Sequence, residues 1–424
     1  LKVKQYHDHR IIAKANVPFE EAVQQLEERI RAAVKKRMIG KKVFCFLSGG
    51  IDSSAVISFA SELSESPIEA ISIGFEEEER NELYDAAVMA EHVGVKHHQV
   101  IASPESFHDM LDTIVFHQDA PFTDTSSYPT YFAAKLARNF TDLILTGDGP
   151  DQTMGGSGHH VKALLANTFA KRNRLKQLIF KQAALLLGMF SDEPLPSLVT
   201  KIRRKLYRDS LSPVQAAYDL RSYFPDIVKN YLCMDEIWEL HRSSSPYQHP
   251  ESWFTDVADQ DNINKYLYAD IKFYIPDDLM IKVDRTCMAH NLETLSPFQD
   301  VHIAEMVNQL PGKYKIHQSG KGKTTTKYIL KKICENRFPS HTLYKKKAGF
   351  GIPVQKWLLH DDGKFIREVL LDPKTLSRGY FRPKAITHMV DAFIKCKGDY
   401  FYPSAPAIVA LLTLELWHRR YTDV

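Results

Sequence analysis

The stretch FLSGGIDSS, residues 46–54, decides the fold. The apolar run KVFCFL (42–47) leads into a glycine pair and reads as a buried strand. From about Asp52 the spacing turns helical, along IDSSAVISFASEL. A strand that ends on Ser48, Gly49 and Gly50 and hands over to a helix makes a phosphate cradle. The glycines let the backbone approach a ligand, and the amides at the helix start point outward. Ser48, Ser53 and Ser54 add hydroxyl donors. Asp52 sits at the mouth, where it cannot bind phosphate but can hold a Mg²⁺ that does. In open parallel sheets ligands bind there, at the carboxyl ends of strands.

Working outward, PFEEAVQQLEERIRAAVKKR (18–37) has the three- and four-residue apolar spacing of an amphipathic helix. Further strands are expected at 68–75, 97–101 and 142–146, alternating with helices at 81–93, 104–117 and 127–138. That alternation predicts an α/β fold with a doubly wound parallel sheet over roughly residues 15–156. Residues 159–260 have little strand character and many basic residues. Between Lys162 and Arg208 only Asp192 and Glu193 oppose them. Two readings stay open: the solvated faces of a helical layer, or a surface for a polyanionic partner or an acidic domain. From 262 onward the pattern is helical, with loops at 312–322 and 345–353. The expected division is a helical lead-in (1–40), a nucleotide-binding core (41–158), a basic helical segment (159–260) and a helical part (261–424) that completes the site.

The 424 residues are 44% hydrophobic and 25% charged, an ordinary globular composition that excludes extensive disorder. A net charge of +3, from 55 basic and 52 acidic residues, gives no global argument for nucleic acid. Cys45, Cys233, Cys287, Cys334 and Cys396 are odd in number and widely spaced, so neither a disulfide scaffold nor a cysteine zinc site is indicated. A reducing cytoplasm fits best. No run reaches the roughly 18 apolar residues of a membrane helix. LIFKQAALLLGMF (178–190) comes closest and reads as a buried helix. The chain begins with Leu1, not Met, which suggests a processed or excised piece.

A rival phosphate motif fails. GKGKT (320–324) looks like the tail of a Walker A loop, but His317 stands where that loop needs its first glycine. The segment is read as opening a helix with no buried strand before it.

SGGIDSS resembles the signature of the ATP pyrophosphatases, or PP-loop enzymes, which split ATP between its α- and β-phosphates. Further segments resemble the asparagine synthetase family, which includes β-lactam synthetases and lasso-peptide cyclases. DLILTGDGPDQTMGG (142–156) is similar to the family's L-x-G-(E/D)-G-x-D-E-x-x-G-G. DDLMIKVDRTCMAHNLETLSPF (277–298) is similar to its D-x-x-L-x-K-x-D-R segment and the E-x-R-x-P that follows. TKYILK (326–331) and KKKAGFGIP (345–353) match its K-Y-I-L-R helix and K-x-G-F-x-x-P loop. The resemblance covers roughly residues 18–420 and implies an adenine nucleotide alpha hydrolase-like sheet with a helical C-terminal part.

The resemblance implies roles by position. Asp52 and Asp151 would hold Mg²⁺ on ATP, and Gly147 would line the nucleotide site. Leu47 and Ile73 would border the adenine. Asp148 would face the carboxyl substrate, with Asp284 and Arg285 shaping the site beside it. Glu293 would serve in a general-base dyad, and Lys323 or Lys327 would reach the phosphates, Lys327 fitting the helix motif better. The implied function is ATP-dependent amide formation. A carboxylate is adenylated with loss of pyrophosphate, and an amine or ammonia then attacks. Removing charge-bearing pyrophosphate calls for Mg²⁺ and a fixed ammonium, and an attacking amine must lose a proton to a nearby carboxylate.

The match also breaks. The family's glutamine-hydrolysing members carry an N-terminal glutaminase domain opened by a nucleophilic cysteine, and nothing similar precedes Ser48. That domain is expected to be a removed piece or a separate chain, unless an amine is used directly. Gln152, Pro150 and Leu295 replace a glutamate, a small residue and an arginine of the family pattern. Losing the arginine favours a bulkier or less charged acyl substrate than aspartate, such as a peptide or one presented by a partner. The alternatives are true asparagine synthesis with ammonia, and a catalytically weak nucleotide-binding scaffold, against which the intact SGGIDSS argues.

Overall fold

Val43–Phe46 (β1) is the central strand of a five-stranded sheet in the computed structural model. Residues 2, 4, 6–13, 17–39, 42–76, 82–103, 107–165, 174–189, 197–219, 221–244, 246–319, 323–345, 352–395 and 404–423 are described. On one side of β1 lie β2 (Ile68–Phe75) and then β3 (Lys96–Ala102); on the other lies β4 (Leu143–Leu145). Every pairing is parallel, with Cys45 opposite both Ala70 and Leu145. The sheet does not end near residue 156 as expected. A fifth strand, β5 (Glu293–Leu295), pairs with β4, Leu145 opposite Leu295. Three residues are too few to carry a period of two, so only pairing makes this segment a strand.

Alternation along β1 sends its side chains to two different cores. Val43 and Cys45 join the larger one, with Ala70 and Leu145 of the neighbouring strands. It is closed by α1 (Phe19–Arg37), α2 (Ile51–Leu63) and α3 (Leu83–Val93). Phe44 faces the other core with Ile71 and Ile144, covered by α4 (Ser127–Ala137) and α5 (Ile281–Met288). Helices on both faces of a parallel sheet confirm the expected doubly wound α/β class. Before α5 the chain makes a π-helical stretch, Asp270–Met280, with Pro276 inside it. Proline has no N–H to donate, so regular i to i−4 bonding cannot run through this point.

The chain forms two units. The first comprises residues 1–103, 126–164 and 253–352, and holds the sheet. The second comprises 104–125, 165–252 and 353–424. Each of the segments 41–158, 159–260 and 261–424 therefore contributes to both units. In the second unit the helix Phe107–Gln118 packs on the C-terminal helix Ala405–Tyr421, where Arg420 bonds Asp112 at 2.8 Å and lies 4.5 Å over the Phe116 ring.

Two further expectations are corrected. The apolar run at 178–190 is not buried: in the helix Arg174–Met189, Leu178, Ile179 and Leu186 are each more than half exposed. GKGKT does not open a helix either, for Thr324–Thr325 pairs antiparallel with His317–Gln318. Its residues 320–322, like 346–351 of the K-x-G-F-x-x-P loop, lie outside the described residues, as do Asp192, Glu193 and Cys396. No described helix is long and apolar enough to cross a membrane.

Candidate active site

In the order β3-β2-β1-β4-β5 the chain leaves β1 toward one edge and later returns on its other side. This reversal opens a crevice at the carboxyl ends of β1 and β4. SGGIDSS leaves β1 there, and TGDGPDQTMGG leaves β4. α2 starts at Ile51 behind Gly50, and no side chain caps it. Its first-turn amides are thus left for a ligand, and an anion suits them. Gly147 lies against the same turn. A Cβ built there would fall 2.5 Å from the Ser53 nitrogen, so no larger residue fits.

The serines divide their work. Ser53 Oγ accepts from the Ser48 N–H at 3.1 Å and reaches the Gly50 carbonyl at 3.3 Å, tying the loop together. Ser48 Oγ accepts from the Gly50 N–H at 3.3 Å. Ser54 is fully buried, its hydroxyl without a hydrogen-bond partner among the described residues. Leu47 and Ile73 are buried as side chains; Leu47 is held in the sheet by its N–H bond to the Ile71 carbonyl at 2.9 Å. What either can offer an adenine is chiefly backbone.

Lys327 settles at the centre. It directly precedes α6 (Tyr328–Cys334) and adopts a left-handed conformation, φ 49° and ψ 41°. Its ammonium bonds Asp52 of α2 and lies 2.6 Å from Asp151 Oδ1. Burial alone would discharge this lysine, but Asp151 and Asp52 together hold its pKa above the ordinary lysine value. Gly156 makes room for it: a Cβ there would fall 1.9 Å from Lys327 Cε and 2.0 Å from Asp151 Oδ1. Lys323, the other lysine expected to compete for this role, is exposed on the hairpin strand's approach.

Two cations escape the sequence reading. Lys331, one helical turn after Lys327, is half-buried, and burial together with the Lys327 charge lowers its pKa. The i to i+4 spacing from Lys327 was the available signal. Lys282 of α5 is 5% exposed. The Cys287 thiol is pushed up to about 12 by burial and next by Asp148, with Lys282 pulling the other way and Asp284 adding to Asp148. Asp148, Lys282 and Asp284 all act electrostatically on this thiol; on α5 itself Lys282 is buried, Asp284 exposed and Arg285 half-buried. Asp148 is fixed through its carbonyl, which accepts from Ser296 Oγ at 2.6 Å.

Glu293 is not brought to the lysine. It opens β5 opposite Leu143, exposed, with its N–H on the Asp142 carbonyl at 2.9 Å. Leu295 packs half-buried against the larger core, so its replacement of an arginine changes packing there. Pro150 and Gln152 are buried in the short helix Pro150–Thr153.

The donor set suits Mg²⁺. Among the described residues no cluster of three or more His, Cys, Asp or Glu could form a protein-only cage. Asp52 and Asp151, meeting at one point, can supply two carboxylates while phosphate oxygens and water complete an octahedron, the usual way Mg²⁺ is held.

The comparisons concern the chain as a whole. The family model described as Asparagine synthase matches residues 25–419. The chain is 28% identical over 376 residues to asparagine synthetase (glutamine-hydrolyzing) 1 of Bacillus subtilis (strain 168), covering 88% of this chain and 55% of that protein. It is 29% identical over 326 residues to a putative asparagine synthetase (glutamine-hydrolyzing) of Mycobacterium bovis, covering 74% and 46%. The chain thus spans about half the length of the curated relatives it matches. With a family model matched along nearly its whole length, the chain belongs to the asparagine synthase family.

Proposed function

We propose that this chain is an ATP-dependent, AMP-forming carbon–nitrogen ligase. A substrate carboxylate oxygen attacks the α-phosphorus of ATP, and the bond to pyrophosphate breaks. An amine or ammonia then attacks the acyl-adenylate carbonyl, AMP leaves, and the nitrogen gives up a proton as the amide forms. The observation that supports this reading most is the buried Lys327 ammonium between Asp52 and Asp151 at the mouth of the β1–β4 crevice. A permanently charged group in a site shielded from water is what a departing polyphosphate needs. Mg²⁺ on Asp52 and Asp151 would supply the rest of the charge neutralisation when bound. The uncapped start of α2 gives amide donors to the same phosphates.

On the other side, Asp148, Lys282, Asp284 and Arg285 are assigned to the acyl substrate. Lys282 is a buried cation on α5 in the same segment, on the face of the sheet opposite Leu295. Asp148, at the carboxyl end of β4, is the carboxylate proposed to take the proton of the attacking amine; Glu293, exposed at the amino end of β5, is not assigned that role. A second reading, asparagine formation from aspartate and ammonia, is favoured by the names of the relatives. Its ammonia would come from a glutaminase domain or partner. Steady-state kinetics with ATP, ammonia and aspartate separate aspartate from a different acyl substrate, which is the first reading in its narrower form. Asparagine formed at a kcat/KM of about 10⁴ M⁻¹s⁻¹ or more establishes the second reading. Pyrophosphate release only with other carboxylates establishes the first.

A further inference from the structure

The second unit carries a surface that the proposed reaction does not use. An open groove of about 490 Å³ is lined by Leu185, Arg203, Ile227, Tyr231, Arg382 and Lys384, among others, and among the described lining residues none is acidic. Arg382 is held rigidly: its guanidinium donates to the carbonyls of Asn230 at 2.6 Å and Tyr231 at 2.8 Å, and to Asp235 at 2.6 Å. Lys384 is exposed. Two neighbouring helices extend the same character. Arg174–Met189 carries Arg174, Lys176 and Lys181 and no acid, and Ser197–Ser210 carries Arg203, Arg204, Lys205 and Arg208, of which Lys205 pairs with Asp209 and Arg208 with Asp219.

The first of these helices is also apolar on its outer face. Leu175, Leu178, Ile179 and Leu186 stand at positions i, i+3, i+4 and i+11, on one helical stripe, and are 54–65% exposed. Ile202 of the second helix is 47% exposed. A solvated basic helix would place polar groups at those positions. An exposed apolar stripe bordered by cations marks a binding face.

We propose that this groove and stripe bind an acidic amphipathic peptide segment of a partner protein. Its carboxylates would meet Lys384 at the groove and the exposed Arg174 and Lys181 beside the stripe, and its apolar side chains would cover the leucine stripe. The concavity decides against a lipid surface, which cannot enter a groove between side chains. The leucines decide against a nucleic acid, whose backbone would leave them wet. From Leu175 to Leu186 the stripe spans about 16 Å, which matches a helical segment of roughly 12 residues.

The test uses the whole chain and fluorescence anisotropy. The probe is a labelled peptide of about 14 residues with leucines at helical spacing and glutamates between them. Controls are the same peptide with glutamine for glutamate, a single-stranded oligonucleotide of similar length, and vesicles of phosphatidylserine and phosphatidylcholine. Saturable binding of the acidic peptide is expected. It should weaken about tenfold in Lys384→Glu and again in Leu178→Ser with Leu186→Ser, and more at high salt. The glutamine peptide should bind at least tenfold more weakly. All three substitutions are at exposed positions, and circular dichroism confirms that each variant is folded. The proposal is overturned by no acidic-peptide binding below about 1 mM, by affinity unchanged in the variants, or by oligonucleotide or vesicle binding that is tighter and lost in the same variants.

Discussion

Lys327 is the residue on which the account turns. A non-glycine residue in the left-handed region costs of order 1–3 kcal/mol, and persists where its surroundings fix it. Here two carboxylates and the bare face of Gly156 fix it. Lys327→Ala is expected to lower turnover about 10²–10³-fold with a smaller loss of ATP affinity, while Lys323→Ala stays near wild type; initial rates against ATP concentration check both. Gly156→Ala puts a methyl group onto the far end of the Lys327 side chain, which can move aside. Displacing the buried ammonium from its two carboxylates should cost pyrophosphate release about as much as Lys327→Ala and lower stability by roughly 3 kcal/mol in chemical denaturation. Gly147→Ala meets backbone of α2, which cannot move, and should lose about 1–3 kcal/mol in chemical denaturation. The four described thiols are buried, and burial holds each one's pKa above the ordinary cysteine value. None of these four is a ready nucleophile, and the purified chain is expected to release no glutamate from glutamine. The glycine loop and Asp52 belong to a local strand–turn pattern that the sequence displays, whereas Asp151 was pointed to by the family resemblance. That one lysine joins both was not, since Lys327 and Asp52 are 275 residues apart.

At the scale of elements, legibility followed length and period. β1 to β4 could be read because apolar runs break off at glycine or at a change to helical spacing. β5 and the two-residue strands His317–Gln318 and Thr324–Thr325 exist only through their partners. The π-helical Asp270–Met280 keeps a helix-like pattern in sequence, so its altered bonding is invisible there. One junction can be tested by itself. Asp300 caps the helix Val301–Asn308, accepting from the His302 N–H at 3.1 Å, and bonds Arg37 at the end of α1 at 2.8 Å. Burial would raise its pKa, but Arg37, the His302 amide and Lys36 together hold it below the ordinary carboxylate value. Its contribution is thus present above pH of about 4 and is lost as pH falls through the lowered value. Asp300→Ala should destabilise by about 2–4 kcal/mol at neutral pH. The gap to wild type should narrow in acid, as denaturation curves at several pH values would show.

For the whole molecule, the division into units was not legible. The helix Phe107–Gln118 belongs with the chain's last helix, through Arg420 and Asp112, 308 residues apart, and no local pattern announces that partnership. The basic helices were legible as a charge excess, but their exposed leucines were read as core, since apolar spacing shows a face and not what covers it. The central claim concerns the sheet-bearing unit: Asp52, Asp151 and Lys327 together drive cleavage of ATP at its α-phosphorus to activate a carboxylate. The most direct measurement is product stoichiometry from Mg-ATP with a panel of carboxylates and amines, in wild type, Asp52→Ala and Asp151→Ala. The account predicts AMP and pyrophosphate in equal amounts, matched by one amide per ATP, and no turnover in either folded variant. ADP and phosphate as products, or near wild-type turnover in both variants, would contradict it.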